Sequence, residues 1–144
     1  MQTVKQILDA KGYQLHAVDP ATSVYDALRK MAQQGIGALV VLDAGELAGI
    51  VSERDYARKV ILKGRHSKDT PVSEIMTRNV ICVGLETSIE ATMSIMTDKR
   101  VRHLVVREAG RLEGIVSIGD VVKAIIDDQK FTIEQLAHYI SGYA

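Results

Sequence analysis

The sequence predicts a mixed α/β (α+β) fold: two tandem β-α-β-β-α repeats packed sheet to sheet about a pseudo-two-fold axis. Three observations lead there. Gly49-Ile50-Val51-Ser52 with Asp55 recurs as Gly114-Ile115-Val116-Ser117 with Asp120, an offset of 114 − 49 = 65 residues. Within each copy, apolar residues fall at helical spacing in one segment and in β-branched runs in the next two. A copy this short is a poor core by itself and leaves one sheet face to cover, so the copies are expected to bury those faces together, with a ligand-sized cleft between them.

The offset holds without a gap. It pairs Thr22-Ser23 with Thr87-Ser88, Met31 with Met96, Leu39-Val40-Val41 with Leu104-Val105-Val106, and Ala44-Gly45 with Ala109-Gly110. The unit exceeds the roughly 20–50 residues of a solenoid repeat, and two copies are too few for an array, so duplication of a small module is the simpler reading.

In chain order, Thr3 to Lys11 reads as a short leading helix. Val24, Leu28 and Met31 stand at i, i+4 and i+7, as do Ile89, Met93 and Met96, which makes both segments amphipathic helices. Ser23 with Asp26 forms a capping pair, and Thr87-Ser88-Ile89-Glu90 fits a capping box. Leu39 to Leu42 is a buried strand, followed by a turn at Asp43-Ala44-Gly45-Glu46 and a strand from Leu47 to Val51; Leu104 to Val116 repeats the pattern. Helices then begin at Glu53, to about Leu62, and at Ile118, to about Asp128. Thr132-Ile133-Glu134-Gln135 opens a last helix with another capping box. The expected boundaries are a helix at 1–13, a repeat at 14–66, a linker at 67–78, a repeat at 79–130 and a C-terminal helix at 131–144. The basic run of Lys63, Arg65, His66 and Lys68 reads as a solvated loop, against the alternative of a phosphate-steering patch.

Composition excludes several classes of function. Lysine plus arginine equals aspartate plus glutamate, 18 against 18, so no overall field draws the chain to nucleic acid or an anionic bilayer. Apolar runs fall far short of the roughly 20 residues of a membrane span. No secretory signal is visible, and a cytoplasmic protein is expected. Cys82 is the single cysteine, so no intrachain disulfide can form; its strand-like surroundings suggest a buried small hydrophobe. His16, His66, His103 and His138 have no i, i+4 pairing, and no metal site is expected.

Chemistry concentrates in the repeated Gly-x-x-Ser-x-x-Asp. Ser52 and Ser117 stand where a strand becomes a helix, so their hydroxyls and first-turn N–H groups can receive a phosphate. Asp55 and Asp120 follow one turn on, where a carboxylate can accept both hydroxyls of a ribose. Ser followed three residues later by Asp is equally a helix cap that serves stability alone. The copies differ in charge: the first has Arg54 and a neutral Gly35-Ile36-Gly37-Ala38, the second Gly119 and the basic Arg100-Val101-Arg102-His103. Arg54, Arg102 and His103 are candidates for phosphate contacts, against the alternative of surface ion pairs.

Over about residues 14–128 the chain resembles the CBS (cystathionine beta-synthase) domain family, specifically a stand-alone pair or Bateman module. The resemblance rests on Gly49 to Asp55, Gly114 to Asp120, Val72-Ser73-Glu74-Ile75-Met76-Thr77 and Arg100-Val101-Arg102-His103-Leu104, all in register. It implies a sheet-lined cleft for AMP, ATP, NAD(H), S-adenosylmethionine or a related adenosyl ligand, with Gly37, Ala38, Arg102 and His103 lining the sites and Thr22 and Thr87 near ribose and phosphates. The family often has proline where this chain has Val40 and Val105. The expected function is that of a non-catalytic adenosine-nucleotide sensor regulating an unknown protein. The alternative is a ligand-free interaction or dimerisation subunit. An enzyme is not expected, because no nucleophile–base or acid–base set has recognisable spacing. A homodimer is expected through the apolar helix faces Val24, Leu28, Met31 and Val121, Val122, Ile125.

Overall fold

Each copy of the repeat builds the same three-stranded sheet, with order first, second, third. The computed structural model describes residues 2–141; Met1 and the last three residues of the expected C-terminal segment, 142–144, lie outside them. The chain divides into two units, Leu15–Ile81 and Met1–Gln14 together with Cys82–Ala144.

In the first unit β1 (Ala17–Val18) runs parallel to β2 (Ala38–Asp43), which pairs antiparallel with β3 (Glu46–Ser52). Between β1 and β2, α2 (Val24–Gln34) starts where Asp26 N–H donates to the Ser23 hydroxyl at 3.0 Å and stops at Gly35, whose φ of 65° is the left-handed conformation that ends helices. Its buried stripe is Val24, Ala27 and Met31, packed with Leu39, Val41 and Val51; Leu28 is only half-buried. The β2–β3 hairpin closes in two residues, Ala44 and Gly45, both with positive φ. That turn matches the right-handed twist of the strands. After β3, α3 (Glu53–Tyr56) passes into a π-helical turn, Ala57–Ile61, so the helix expected to about Leu62 changes its winding halfway.

The stretch expected as a linker is part of this unit. Val72 N–H donates to Thr22 O and Val24 N–H to Thr70 O, each at 2.8 Å, while Thr77 and Ile50 exchange two backbone hydrogen bonds. Val72, Ile75 and Met76 are buried. Gly49 explains itself here: a Cβ added to it would stand 2.8 Å from the Thr77 carbonyl oxygen. The third-strand glycine of the motif therefore admits a backbone rather than supplying flexibility.

In the second unit β4 (Cys82–Val83), β5 (His103–Glu108) and β6 (Arg111–Ser117) repeat the sheet, with α4 (Ile89–Lys99) between β4 and β5. The helix-ending residue is Arg100, at φ 54°, and the hairpin turn is Ala109-Gly110, at φ 50° and 78°. The place of the 70–77 stretch is taken by the leading helix α1 (Val4–Lys11). Val4 N–H donates to Thr87 O at 2.9 Å, and Ile89 N–H to Gln2 O at 3.1 Å. Val4, Ile7 and Leu8 are buried, Leu8 against Gly114. The segment that precedes each repeat in sequence thus completes the core of the other one.

Several expectations need correction. One helix, α5 (Ile118–Ile140), replaces the two expected there. No glycine or proline interrupts Asp127 to Phe131, and the Thr132 hydroxyl donates back to Asp128 O at 3.1 Å within a continuing helix instead of capping a new one. Cys82 is exposed: in a two-residue strand Val83 takes the inward position and Cys82 the outward one. Val24, Met31 and Val121 are buried inside their own units and are not free to pair with another chain. Of the expected face Val122 is exposed, and with it Ile118, Ile126 and the apolar residues of the second half of α5. Among the described residues no helix is long and apolar enough to cross a membrane.

Candidate functional site

The antiparallel register places Ala38 opposite Ser52, at the sheet end where β3 becomes α3. Glu53 N–H donates to Gly37 O at 3.1 Å, so the glycine-rich entry to β2 and the helix start are tied together. Ser52 and Asp55 form a reciprocal cap: Asp55 N–H reaches the Ser52 hydroxyl at 3.3 Å, while Asp55 Oδ2 accepts from Ser52 N–H at 2.9 Å and from its hydroxyl at 3.0 Å. Asp55 Oδ1 accepts from Lys59 Nζ at 2.9 Å, and that ammonium also donates to Ile75 O at 2.8 Å. The Asp55 side chain is only 12% exposed. Both of its oxygens are occupied by protein donors.

The second unit repeats the cluster with a different cation. His103 stands opposite Ser117, and Ile118 N–H donates to Arg102 O at 2.8 Å. Asp120 N–H meets the Ser117 hydroxyl at 3.1 Å, and Asp120 Oδ2 accepts from Ser117 N–H at 2.8 Å. The ammonium on this carboxylate belongs to Lys11 of α1, at 2.7 Å from Oδ2 and 3.0 Å from Ile115 O. Burial, the largest single influence, pushes the Asp120 carboxyl up. The hydrogen bond from Lys11, the backbone N–H and hydroxyl of Ser117 and the Lys11 charge more than offset it and hold the group below the usual carboxylate value.

Each unit therefore gathers a strand start, a serine, an aspartate and a lysine at one end of its sheet. Of the first three N–H groups of each helix, only those of Arg54 and Gly119 are left by these bonds, fewer than the sequence motif alone suggests. The Arg54 side chain is half-buried and that of Arg102 exposed; neither forms an ion pair among the described residues. Thr22 and Thr87 do not join the cluster within their own units. The parallel register leads the chain out of β1 and β4 at the Val41 and Val106 ends of β2 and β5, opposite to Ala38 and His103. Thr87 Oγ1 there accepts from Gly84 N–H at 3.2 Å.

Sequence reasoning missed both lysines. Lys59 carried a signal, since it stands four residues after Asp55 on one helix face, the spacing of an ion pair. Lys11 carried none, because 109 residues separate it from Asp120. Among the described residues no group of three or more His, Cys, Asp or Glu side chains could hold a metal ion.

Two equivalent α+β units, each ending its hairpin in a Ser-x-x-Asp helix cap, define a paired module. The CBS domain family model matches residues 4–62 and 72–127, and the chain belongs to that family as a CBS-domain pair. It is 47% identical over 126 residues to the mitochondrial CBS domain-containing protein CBSX3 of Arabidopsis thaliana, covering 83% of this chain and 61% of the length of that relative. Among solved structures, a candidate signal-transduction protein with CBS domains from Burkholderia ambifaria superposes with a TM-score of 0.86 at 50% identity, covering 89% of this chain and 96% of that one. The CBS domain pair of protein MJ0100, solved with 5′-methylthioadenosine and S-adenosyl-L-methionine, superposes with a TM-score of 0.76 at 25% identity over 86% of this chain and 99% of that one.

Proposed function

We propose that this CBS-domain pair is a non-catalytic regulatory module that senses an adenosine nucleotide (AMP, ATP or NAD(H)) and passes its occupancy to a partner protein. One observation carries the reading. Both units present, at the same sheet end, an aspartate fixed by its serine, a first-turn N–H left over on Arg54 or Gly119, and an arginine, Arg54 or Arg102, that forms no ion pair among the described residues. A carboxylate beside cationic and N–H donors is the chemistry that a ribose joined to a phosphate needs. The adenosyl ligands of the MJ0100 pair support the same class of ligand. Ser52, Asp55 and Arg54 would serve one site and Ser117, Asp120, Arg102 and His103 the other, with the backbone of Gly37 and Ala38 against the base. Thr22 and Thr87 would contribute only where a ligand extends beyond the cluster of their own unit.

Ile36-Gly37-Ala38 offers backbone groups and no side-chain acceptor for a guanine amino group, so adenine should be preferred to guanine. Titration calorimetry with AMP, ATP, NADH and GMP tests the reading: at least one adenosine ligand should bind, and more tightly than GMP. Silence toward all adenosine ligands, or tighter binding of GMP, would sink it.

A second reading has its own support. The exposed Ile126, Phe131, Ile133, Leu136 and Ile140 of α5 suit an interaction subunit, and a homodimer is the form in which both readings coexist.

A further inference from the structure

The two aspartates are held by lysines of different origin. Lys59 belongs to the same helical segment as Asp55, four residues on. Lys11 belongs to the last turn of α1, and its ammonium both meets Asp120 Oδ2 and caps the carbonyl of Ile115 on the edge of β6. The Asp120 side chain is twice as exposed as that of Asp55, 24% against 12%. Oδ2 of Asp120 already accepts from Ser117 N–H and from Lys11, so a ribose diol that grips both carboxylate oxygens must take the place of Lys11.

We propose that Lys11 is an internal competitor for the ribose at Asp120, so that nucleotide occupancy of the second repeat and docking of the last turn of α1 exclude each other. The inference rests on the nucleotide-binding reading above. It confines the movement to a short stretch. Val4, Ile7 and Leu8 are buried, and Val4 and Lys5 N–H groups are bonded to Thr87 O and Leu85 O, so the first two turns have far more to lose than one carboxylate exchange supplies. Among the described residues, the hydrogen bond that ties Ala10 to Tyr13 to the sheet is that of the Lys11 ammonium to Ile115 O, and the chain leaves α1 through Gly12 at φ 105°. The Tyr13 hydroxyl is bonded to Asp9 of the same helix, not to the sheet. Binding would free this turn and the ammonium it carries. In the first repeat the ammonium on Asp55 and Ile75 O comes from the helical segment that carries Asp55, so its release frees no terminal turn.

The test pairs two measurements. On an Asp55→Ala background, AMP affinity should tighten about 3- to 10-fold in Lys11→Met, which keeps the alkyl stem and removes the charge, and return toward the background value in Lys11→Arg. In the unmodified chain, saturating AMP should speed amide hydrogen exchange of residues 10–13 and leave residues 4–8 unchanged. Equal or weaker AMP binding by Lys11→Met, or slowed or unchanged exchange at 10–13, would overturn the proposal even if a variant folds poorly. Absence of any adenosine-nucleotide binding by the unmodified chain would remove both this and the reading beneath it. Binding that is lost in Asp120→Ala but indifferent to Lys11→Met would remove this one alone.

Discussion

At the scale of single residues, the two motif aspartates carry two roles that can be separated by what their loss does. Each caps a helix by bonding back to its serine, and each is neutralised by a lysine. Asp→Ala at an occupied site should weaken nucleotide binding by about 2–4 kcal/mol, roughly 30- to 1000-fold, through loss of a charge-assisted pair of hydrogen bonds. The same change should lower stability by about 1–3 kcal/mol at Asp55, which is the more buried and leaves Lys59 without its carboxylate, and by less at Asp120. Calorimetric affinity and melting temperature, measured on both variants, decide the matter: variants that melt lower but bind like the parent would make Ser-x-x-Asp a helix cap and nothing more. Because Asp120 is held below its ordinary value, its contribution to stability is complete above about pH 4 and fades as pH falls through the folded value. Lys11→Met should flatten that acid limb of a urea-midpoint profile. Tyr13 works in the opposite direction. Its hydroxyl donates to Asp9 at 2.6 Å, which pushes the phenol up to about 12, so this contact is intact below pH 10 and lost as pH rises through the folded value. In an ultraviolet titration one of the five tyrosines should ionise late, and Tyr13→Phe should remove that late step.

Among the elements, hairpins and caps show how far the repeat could be read from its letters and where reading had to stop. Strands β2, β3, β5 and β6, helices α2 and α4 and both turns were legible because Leu39-Val40-Val41, the i, i+4, i+7 stripes and Ala-Gly between charged residues are local signals. Thr132 misled because a capping box needs a free helix start, and nothing before it ends α5. The assignment of α1 to the second unit and of 70–77 to the first, like the Lys11–Asp120 pair, joins residues remote in sequence, and no period or spacing encodes that. Two substitutions test the elements directly. Ala44 and Ala109 hold left-handed φ of 49° and 50° at a position that asparagine tolerates better, so each Ala→Asn should add about 0.5–1 kcal/mol, or about 2–4 °C in Tm. Gly49→Ala should cost about 2–3 kcal/mol, since its Cβ would press on the Thr77 backbone. A neutral Gly49→Ala would mean that the 70–77 stretch does not pair with β3 in solution.

For the whole molecule the decisive feature is the second half of α5, which extends beyond the repeat it begins in. Val122, Ile126, Ile133, Leu136 and Ile140 follow the 3–4 spacing of a helix face made to meet another helix, and Ile133 and Ile140 are 65% and 82% exposed. Gln129 is the one polar residue in that line. An exposed apolar face of this kind marks an interaction site, and a second copy of the same chain supplies a self-complementary face through a two-fold axis. The chain should therefore be a homodimer at tens of micromolar, about the range in which weak dimers form. Because these side chains touch little within their own unit, Ile133→Glu with Leu136→Glu should change monomer stability by no more than about 0.5 kcal/mol each while placing like charges across the pair. Light scattering should then give a dimer for the parent and a monomer for the double variant, with unchanged far-ultraviolet circular dichroism. A monomeric parent at that concentration would refute the α5 interface, and a double variant that stays dimeric would move the interface to Ile118 and Val122 at the start of the helix.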